Sequence, residues 1–299
     1  MTQNVAIIGA GTQGSMLAFR SLAFGRRVFL YSRTTESCQK AELNIMKWLD
    51  EWIIAGKLDS DYATHAKNNL IVASSLKEAV QDADIIIENL PEILDLKQQI
   101  WADIDALAPE HTLLTTNSSS LKSSEIGKFV KRKDKTFNLN FMTPTKDDLV
   151  EVMWNDFTSD ETKDLALYFL REQNHVPVIT HKEIKGFSLN RVWRAIKKES
   201  LKLWSEGYTT YEELDRAWML EWGTAYGPFG LMDRVGLDIV EQIEYSYYAE
   251  SLNEDDLPPK ALQEMVKNGY LGEKSGRGFY RYPNPAYLRE GWLRDEHHI

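Results

Sequence analysis

The most informative segment of this chain reads Val5-Ala6-Ile7-Ile8-Gly9-Ala10-Gly11-Thr12-Gln13-Gly14. Its four leading apolar residues predict a buried β-strand, and the pattern of Ser15–Phe24 directly after the glycines predicts a helix. A G-x-G-x-x-G run alone is weak evidence, but between an amino-terminal strand and a helix it is typical of a dinucleotide-binding β-α-β unit. The segment therefore predicts a Rossmann-type, doubly wound α/β domain at the start of the chain.

The residue types in this loop suit a phosphate-bearing ligand. Gly9 permits a tight turn after the strand, Gly11 lets the backbone approach a pyrophosphate, and Gly14 lets the helix pack closely on the strand. Thr12 and Gln13 lie at the start of the helix, whose free N–H groups and dipole favour phosphate. We predict that these five residues bind a dinucleotide cofactor.

Length and composition limit the class of protein. A chain of 299 residues exceeds what one hydrophobic core usually holds, so two domains are expected. With 43% hydrophobic and 27% charged residues and no apolar run that could span a bilayer, an ordinary globular protein without a membrane role is predicted. The formal net charge of −10 argues against a nucleic-acid partner.

Cysteine usage and the first residues indicate the compartment. Cys38 is the single cysteine, so no internal disulfide forms, and no Cys/His spacing suits zinc. The segment before Val5 carries no secretory signal. These features predict a cytoplasmic protein without a metal site.

Apolar runs alternate with amphipathic stretches in the first part of the chain, as in a mostly parallel sheet covered by helices. The predicted strands are Val5–Ile8, Val28–Tyr31, Ile85–Glu88, Leu113–Thr116, Thr136–Phe141 and Val176–Thr180. A polar and aromatic insert at about 36–69 has helical spacing.

Beyond Thr180 the strand signals cease and helical patterns follow. The predicted helices are Ser188–Glu206, Tyr211–Leu220, Leu231–Glu250 and Lys260–Asn268. The change lies near Lys182–Phe187, so we expect a Rossmann domain at 1–184 and an all-α domain at 185–299.

The end of the second predicted strand indicates which dinucleotide binds. A Rossmann unit usually has Asp or Glu there, hydrogen-bonded to the ribose 2′-hydroxyl. This chain has Ser32 and Arg33, a hydroxyl and a planar cation that suit a 2′-phosphate. We therefore predict NADP rather than NAD, the alternative being that Arg33 is solvated or stacks on the adenine.

Further motifs occur in order through nearly the whole chain, and together they resemble the L-3-hydroxyacyl-CoA dehydrogenase family. They are Ala83-Asp84-Ile85-Ile86-Ile87-Glu88 with Pro91-Glu92 and Leu96-Lys97, Thr116-Asn117-Ser118-Ser119-Ser120-Leu121, Gly186-Phe187-Ser188-Leu189-Asn190-Arg191, Gly227-Pro228-Phe229 with Asp233 and Gly236-Leu237-Asp238, and Leu271-Gly272-Glu273-Lys274-Ser275-Gly276-Arg277-Gly278-Phe279-Tyr280. The resemblance implies an oxidoreductase of fatty acid metabolism that interconverts L-3-hydroxyacyl-CoA and 3-oxoacyl-CoA, and it implies a homodimer.

The same resemblance implies roles for single residues. It places Glu92 and Lys97 beside the nicotinamide ribose and puts Asn117 among the cofactor residues. Ser119 would contact the 3-oxygen of the substrate. Asn190, in the helical domain, would help to hold the acyl group.

The catalytic pair departs from the family pattern. The family uses a His–Glu pair, in which the His takes the 3-hydroxyl proton and the Glu orients the imidazole. Here Glu151 is kept within Leu149-Val150-Glu151-Val152, but Asn140 stands where the spacing from Ser119 places the His, and Thr143 replaces an Asn of the family. Because an Asn amide does not titrate, it cannot serve as general base.

We therefore predict impaired turnover, with Glu151 as the remaining base and His175 and His181 as weaker candidates. The residues leave open whether Asn140 is natural divergence or an engineered substitution. They also leave two other functions open, a dehydrogenase of a non-CoA 3-hydroxy acid or diketone, and a cofactor-binding protein with little catalysis.

Overall fold

The apolar runs of the first part of the chain pair into one eight-stranded sheet in the computed structural model, which describes residues 4–142 and 148–294. The chain divides into two units, Met1–Ser188 and Leu189–Ile299. The sheet belongs to the first unit. Its strands are β1 (Asn4–Ile8), β2 (Arg27–Tyr31), β3 (Leu70–Val72), β4 (Ile85–Glu88), β5 (Leu113–Thr116), β6 (Thr136–Phe141), β7 (Leu149–Trp154) and β8 (Val176–Thr180).

The strand order is β3-β2-β1-β4-β5-β6-β7-β8. The first six strands in this order are parallel and have the doubly wound Rossmann arrangement. β7 runs antiparallel to β6, and β8 is parallel to β7. The predicted Rossmann-type α/β class is confirmed.

Helices of the first unit pack on both faces of this sheet because successive strand residues point to opposite faces. They are α1 (Thr12–Ala23), α2 (Thr35–Ile54), α3 (Ser60–Asn68), α4 (Leu76–Val80), α5 (Leu94–Leu107), α6 (Ser123–Ile126) and α7 (Asp160–Arg171). Ile7 packs with Leu17 and Phe19 in one buried cluster, whereas Ile8 packs with Trp101 in the other. The segment predicted as a helical insert contains α2 and α3.

Two strands, β3 and β7, were not predicted. β3 has only three residues, and it follows the polar end of α3 without a clear apolar run of its own. β7, which carries Glu151, has no strand signal in its sequence, because that buried carboxylate interrupts its apolar residues.

The second part of the chain is helical, as predicted. Its helices are α8 (Phe187–Ser205), α9 (Tyr211–Trp222), α10 (Pro228–Val235), α11 (Leu237–Ser251) and α12 (Lys260–Lys267). The prediction of one continuous helix at Leu231–Glu250 was wrong. Gly236, with a φ of 103°, ends α10, and α11 begins directly after it. The apolar periodicity continues across this glycine, so the pattern alone concealed the break.

A buried carboxylate on α10 joins two of the sequence motifs. Asp233 accepts hydrogen bonds from the backbone N–H groups of Phe279 at 2.9 Å and Tyr280 at 2.8 Å, and from the Tyr282 hydroxyl at 3.2 Å. Burial raises the pKa of Asp233 to about 6, although these donors favour its charged form. The motif at 271–280 therefore serves to satisfy a buried carboxylate.

Asp215 on α9 has a corresponding arrangement. Its carboxylate accepts the backbone N–H groups of Phe229 and Gly230, each at 2.8 Å, at the N-terminus of α10. The hydroxyl of Tyr280 donates to it at 3.0 Å, and burial raises the pKa of Asp215 to about 6. The motifs around Gly227 and Tyr280 thus have a structural role in this unit.

This arrangement predicts unequal effects of removing two aspartates of the same unit. Asp233→Ala should lower the free energy of unfolding by at least about 2 kcal/mol, because it leaves two buried N–H groups and a hydroxyl without an acceptor. Asp238→Ala, the control, removes a partly exposed pair with Lys274 and should cost less than about 1 kcal/mol. Denaturant unfolding of both variants tests this, and equal losses would contradict it.

Candidate active site

The glycine loop follows β1 at the carboxyl edge of the sheet, where ligands of open α/β sheets bind. The N–H of Gly9 donates to the carbonyl of Tyr31 at 2.8 Å, and its φ of 110° suits glycine. A Cβ on Gly14 would lie 1.9 Å from the carbonyl oxygen of Gly9. The turn and the close approach of α1 to β1 therefore require both glycines.

The N-terminus of α1 is open. Gly11 is its N-cap residue, no side chain caps the helix, and its first turn carries no acidic residue. A Cβ added to Gly11 would have no atom within 4 Å among the described residues. Thr12 and Gln13 form the exposed first turn, and the Gln13 amide donates to the Met142 carbonyl at 3.1 Å. This open space and these free N–H groups fit a pyrophosphate.

Ser32 and Arg33 follow β2 and lie next to the glycine loop. Ile8 is paired with Tyr31 across β1 and β2, so the residues after both strands lie at the same edge. Ser32 is half-buried and Arg33 is exposed, one residue before Thr34, the N-cap residue of α2. The structure therefore brings both predicted 2′-phosphate residues to the cofactor edge.

Antiparallel pairing of β6 and β7 sets Asn140 directly opposite Glu151. Both side chains are buried, and the Asn140 amide donates to Oε2 of Glu151 at 3.1 Å. The hydroxyl of Ser188 donates to Oε1 of the same carboxylate at 3.2 Å. We call these two facing residues the Asn140–Glu151 pair.

Ser188 is a contact that sequence reasoning missed. It lies inside the motif at 186–191, where the sequence pattern predicts only the first residue of a helix. The only sign of this contact in the sequence is the position of Ser188 directly after Gly186 and Phe187. Both of these residues have positive φ, and no sequence pattern predicts that conformation for a phenylalanine.

Residues 117–122, which we call the serine loop, connect β5 to α6 and cover the face of β6 that carries Asn138 and Asn140. Asn138 fixes this loop: its amide donates to the Leu121 carbonyl at 2.9 Å, and its Oδ1 accepts the Ser123 N–H at 2.8 Å. Asn138 and Asn140 share one face of β6, because alternate residues of a strand do so. Ser119, in this loop, is exposed.

Asn117 is the first residue of the serine loop, and its hydrogen bonds connect the ends of β4, β5 and β6. Its Oδ1 accepts the backbone N–H of Phe141, at the end of β6, at 2.9 Å, and its amide donates to Oδ1 of Asn89, just after β4, at 2.9 Å. Much of its hydrogen-bonding capacity is thus used within the protein. Its predicted cofactor role remains a prediction.

Glu92 and Lys97 lie after β4, at the same edge of the sheet. Lys97 is buried and forms an ion pair of 2.7 Å with the buried Glu88. Glu88 also accepts the Thr116 hydroxyl at 2.8 Å. Glu88 belongs to the motif at 83–88, but the sequence gives no sign of its ion pair with Lys97.

His175 lies away from the Asn140–Glu151 pair. It precedes β8, is buried, and its ring centroid lies 5.2 Å from that of Phe141. Phe141 belongs to the cluster beneath α1, so His175 lies on the opposite face of the sheet from Asn140. Burial and the nearby Arg20 lower the pKa of His175 to about 4. His181 is exposed beyond the end of β8.

Two further predicted residues are Asn190 and Thr143. Asn190 is half-buried on α8 and belongs to the second unit, so its contact with substrate remains a prediction. Thr143 lies outside the described residues. Within 4–142 and 148–294, no cluster of His, Cys, Asp and Glu is arranged to hold a metal ion, and no helix is long and apolar enough to cross a membrane.

Known families match both parts of the chain. The NAD-binding domain of 3-hydroxyacyl-CoA dehydrogenase matches residues 4–184, and the C-terminal domain of that enzyme matches residues 186–282. The chain belongs to the 3-hydroxyacyl-CoA dehydrogenase family. The resemblance seen in the motifs is therefore confirmed, and the cofactor is a nicotinamide dinucleotide.

Individual members of the family align over nearly all of the chain. A 3-hydroxybutyryl-CoA dehydrogenase of Clostridioides difficile is 34% identical over 280 residues, 93% of this chain and 99% of its own. The crystal structure of an (S)-3-hydroxybutyryl-CoA dehydrogenase from Ralstonia eutropha, 28% identical, has a TM-score of 0.86 and covers 95% of this chain and 100% of its own. A diketoreductase that acts on dicarbonyl compounds, 30% identical, has a TM-score of 0.85 and covers 94% and 99%.

The structure of the glycine loop predicts that substitution of Gly11 affects mainly cofactor binding, whereas substitution of Gly14 affects mainly stability. Gly11→Ala should lower the free energy of unfolding by no more than about 1 kcal/mol, the cost of alanine at an N-cap position, but weaken nicotinamide dinucleotide binding about tenfold, about 1.4 kcal/mol, because its methyl group enters the space of the pyrophosphate. Gly14→Ala, the matched variant, should destabilise the fold by about 1–3 kcal/mol through overpacking against Gly9. Thermal unfolding without cofactor and a fluorescence titration with NADH and NADPH measure both effects. A loss of stability in Gly11→Ala as large as that in Gly14→Ala would refute this interpretation.

Proposed function

We propose that this chain interconverts L-3-hydroxyacyl-CoA and 3-oxoacyl-CoA with a nicotinamide cofactor, and that Ser119, Asn140 and Glu151 form its reaction site. The observation that carries the assignment of residues is the Asn140–Glu151 pair. It lies on the face of β6 that the serine loop covers, at the sheet edge that also carries the glycine loop.

In this proposal the protein supplies the contact with the 3-oxygen and the proton acceptor, and the cofactor supplies the hydride chemistry. The bound cofactor supplies the acceptor of a hydride in oxidation and its donor in reduction. Ser119, exposed on the serine loop, hydrogen-bonds the 3-oxygen of the substrate. In oxidation the 3-hydroxyl proton passes to the carboxylate of Glu151, directly or through one water molecule, as the hydride leaves C3.

Asn140 has a binding role in this scheme. One N–H of its amide holds Glu151, and the group neither takes up nor releases a proton. General acid–base catalysis by a well-placed group contributes about 10²- to 10⁴-fold. Asn140 therefore lets substrate bind while the chemical step is slower than it would be with a histidine there.

Restoring the imidazole tests this role. Asn140→His should raise the rate of acetoacetyl-CoA reduction at least about tenfold, because the new side chain can deliver a proton to the 3-oxygen and faces Glu151 across the strands. Asn140→Ala is the control and should give no gain. Initial rates with NADH and NADPH measure both. An unchanged or lower rate in Asn140→His would mean that the site has been rebuilt around another mechanism.

We further propose that the cofactor is NADP rather than NAD. Ser32 and Arg33 lie beside the glycine loop, where the ribose 2′ position of a Rossmann-bound dinucleotide falls, and neither is a carboxylate. The guanidinium of Arg33 is exposed and suits a phosphate in charge and planar geometry. A carboxylate at this position would repel the 2′-phosphate.

Cofactor choice has its own test. Arg33→Gln should weaken NADPH binding about tenfold, about 1.4 kcal/mol, and change NADH binding little, because only NADPH carries the 2′-phosphate. Arg27→Gln is the control, since Arg27 begins β2 at the opposite edge of the sheet. Binding titrations of the three proteins with both nucleotides measure this. A wild-type preference for NADH would remove the proposed phosphate contact.

A second candidate function has support from one structural relative, the diketoreductase. Under this alternative the hydride chemistry stays the same and the substrate is a non-CoA 3-hydroxy acid or a diketone. Turnover of a free β-keto acid or diketone without turnover of acetoacetyl-CoA would favour it. Tight nucleotide binding without oxidation of either reduced cofactor would instead favour a cofactor-binding protein, a role that Asn140 makes chemically plausible.

We assign residues 1–184 to cofactor binding and 185–299 to substrate and dimer contacts. The family matches at 4–184 and 186–282 support this division. Exposed apolar side chains in the second unit, among them Val192, Leu220 and Trp222, support a homodimer. The buried free thiol of Cys38 supports the cytoplasm as its compartment.

A further inference from the structure

We infer that Ser188 is a positioning residue for Glu151, and that Oε1, the carboxylate oxygen facing Ser188, is the one that takes up the substrate proton. This inference rests on the proposed function, in which Glu151 is the proton acceptor. It gives different tasks to the two oxygens of one carboxylate, and it gives a role to a hydroxyl that the motif at 186–191 does not mark.

The two oxygens of Glu151 contact donors of different chemistry. Oε2 accepts an amide N–H of Asn140 at 3.1 Å, and Oε1 accepts the Ser188 hydroxyl at 3.2 Å. An amide nitrogen donates hydrogen bonds but does not accept them, whereas a hydroxyl does both and can rotate. Asn140 therefore favours an Oε2 without a proton, while Ser188 can turn to accept a proton carried by Oε1.

Burial of Glu151 makes this difference matter. The side chain lies away from solvent, so a protonated carboxyl group there is costly unless its O–H has an acceptor. The Ser188 oxygen can be that acceptor, because its own contact with the Thr180 hydroxyl is a long 3.4 Å and leaves it able to turn. Ser188 can thus hydrogen-bond Glu151 both before and after the proton transfer.

The proton step has a simple balance. In oxidation the 3-hydroxyl O–H bond breaks and its proton forms a new O–H bond with Oε1 of Glu151. At the same time the C3–H bond gives up a hydride to the oxidised cofactor, and the 3-carbonyl forms. In reduction the same Oε1 returns the proton to the 3-oxygen.

A sharp turn places Ser188 at this carboxylate. Gly186 and Phe187, directly before it, have φ values of 80° and 53°, and the second is costly for a residue with a side chain. Phe187 is only 1% exposed, so burial of its ring offsets that cost. The turn starts α8 with the Ser188 hydroxyl within reach of Glu151.

The residues before this turn are held on the first unit, to which Ser188 also belongs. The N–H of Ile184 donates to Sδ of Met153 at 3.2 Å. Met153 shares a face of β7 with the catalytic carboxylate, because alternate strand residues do so. Oε1 of Glu183 accepts the backbone N–H of Ser124, in α6, at 2.9 Å. Contacts on β7 and α6 therefore fix where the Ser188 hydroxyl lies.

The amide at position 140 makes the rate depend on this hydroxyl. Because Asn140 does not titrate, the carboxylate must itself face the 3-oxygen in the correct orientation. A small misplacement of a group that contacts the reacting atoms lowers turnover strongly. Without the Ser188 hydroxyl, Oε1 loses the donor that orients it. With an imidazole at position 140, the rate should depend less on Ser188.

The experiment compares Ser188→Ala and Ser188→Thr with wild type. Ser205→Ala is the matched control, because the Ser205 hydroxyl is exposed at the end of the same helix and contacts only the Lys202 carbonyl among the described residues. Each variant is also made in the Asn140→His background. The measurements are kcat and KM for acetoacetyl-CoA reduction, and the carbon-13 resonance of the Glu151 carboxyl group without substrate, identified by its loss in Glu151→Gln.

For Ser188→Ala we expect kcat to fall about tenfold and KM to stay within about twofold, because the hydroxyl contacts the carboxylate and not the substrate. Ser188→Thr keeps a hydroxyl and should recover most of the loss. In the Asn140→His background, Ser188→Ala should cost less than about threefold, because the imidazole then carries the proton. The Glu151 resonance should shift in Ser188→Ala and return toward its wild-type position in Ser188→Thr, and the control should match wild type.

Two results would overturn the inference. One is an equal loss of kcat for Ser188→Ala in the wild-type and Asn140→His backgrounds, which would make the role of Ser188 structural. The other is an unchanged Glu151 resonance in Ser188→Ala. If wild type does not reduce acetoacetyl-CoA, the proposed function fails, while a shifted Glu151 resonance still supports the positioning of the carboxylate by Ser188.

Discussion

The proposed site depends on the antiparallel pairing of β7 with β6. Because β7 runs against the six parallel strands, it begins at the edge where β1, β4, β5 and β6 end. Glu151, near the start of β7, therefore lies close to the edge that carries the glycine loop and the serine loop. A parallel β7 would place the same carboxylate toward the far edge, away from both loops.

Much of the sheet could be predicted because its signals are local. β4, β5, β6 and β8 begin and end where their apolar runs do, and the glycine loop predicts the turn into α1. Prediction failed where local and tertiary signals conflict. β3 is too short to show an alternation, and Gly236 interrupts an apolar period that otherwise continues from α10 into α11.

Which residues lie together in the candidate site could be predicted in part, but their contacts could not. Motif spacing indicated Ser119, Asn140 and Glu151, and the structure places the last two within hydrogen-bonding distance. The supporting contacts join residues far apart in the chain, such as Ser188 with Glu151 and Asn138 with the serine loop. Such pairs depend on how strands are arranged in space, which no short pattern contains. The partners of Lys97 are of the same kind.

The pairing of Asn140 with Glu151 also has an evolutionary consequence. Strand pairing is made by the backbone, so exchanging the side chain at this position leaves the register of β6 and β7 intact. The codons for asparagine and histidine differ in a single base. A change between a titrating and a non-titrating partner for Glu151 is therefore a minimal genetic step on an unchanged scaffold. Either side chain can stand at this position without any change in the pairing of the two strands.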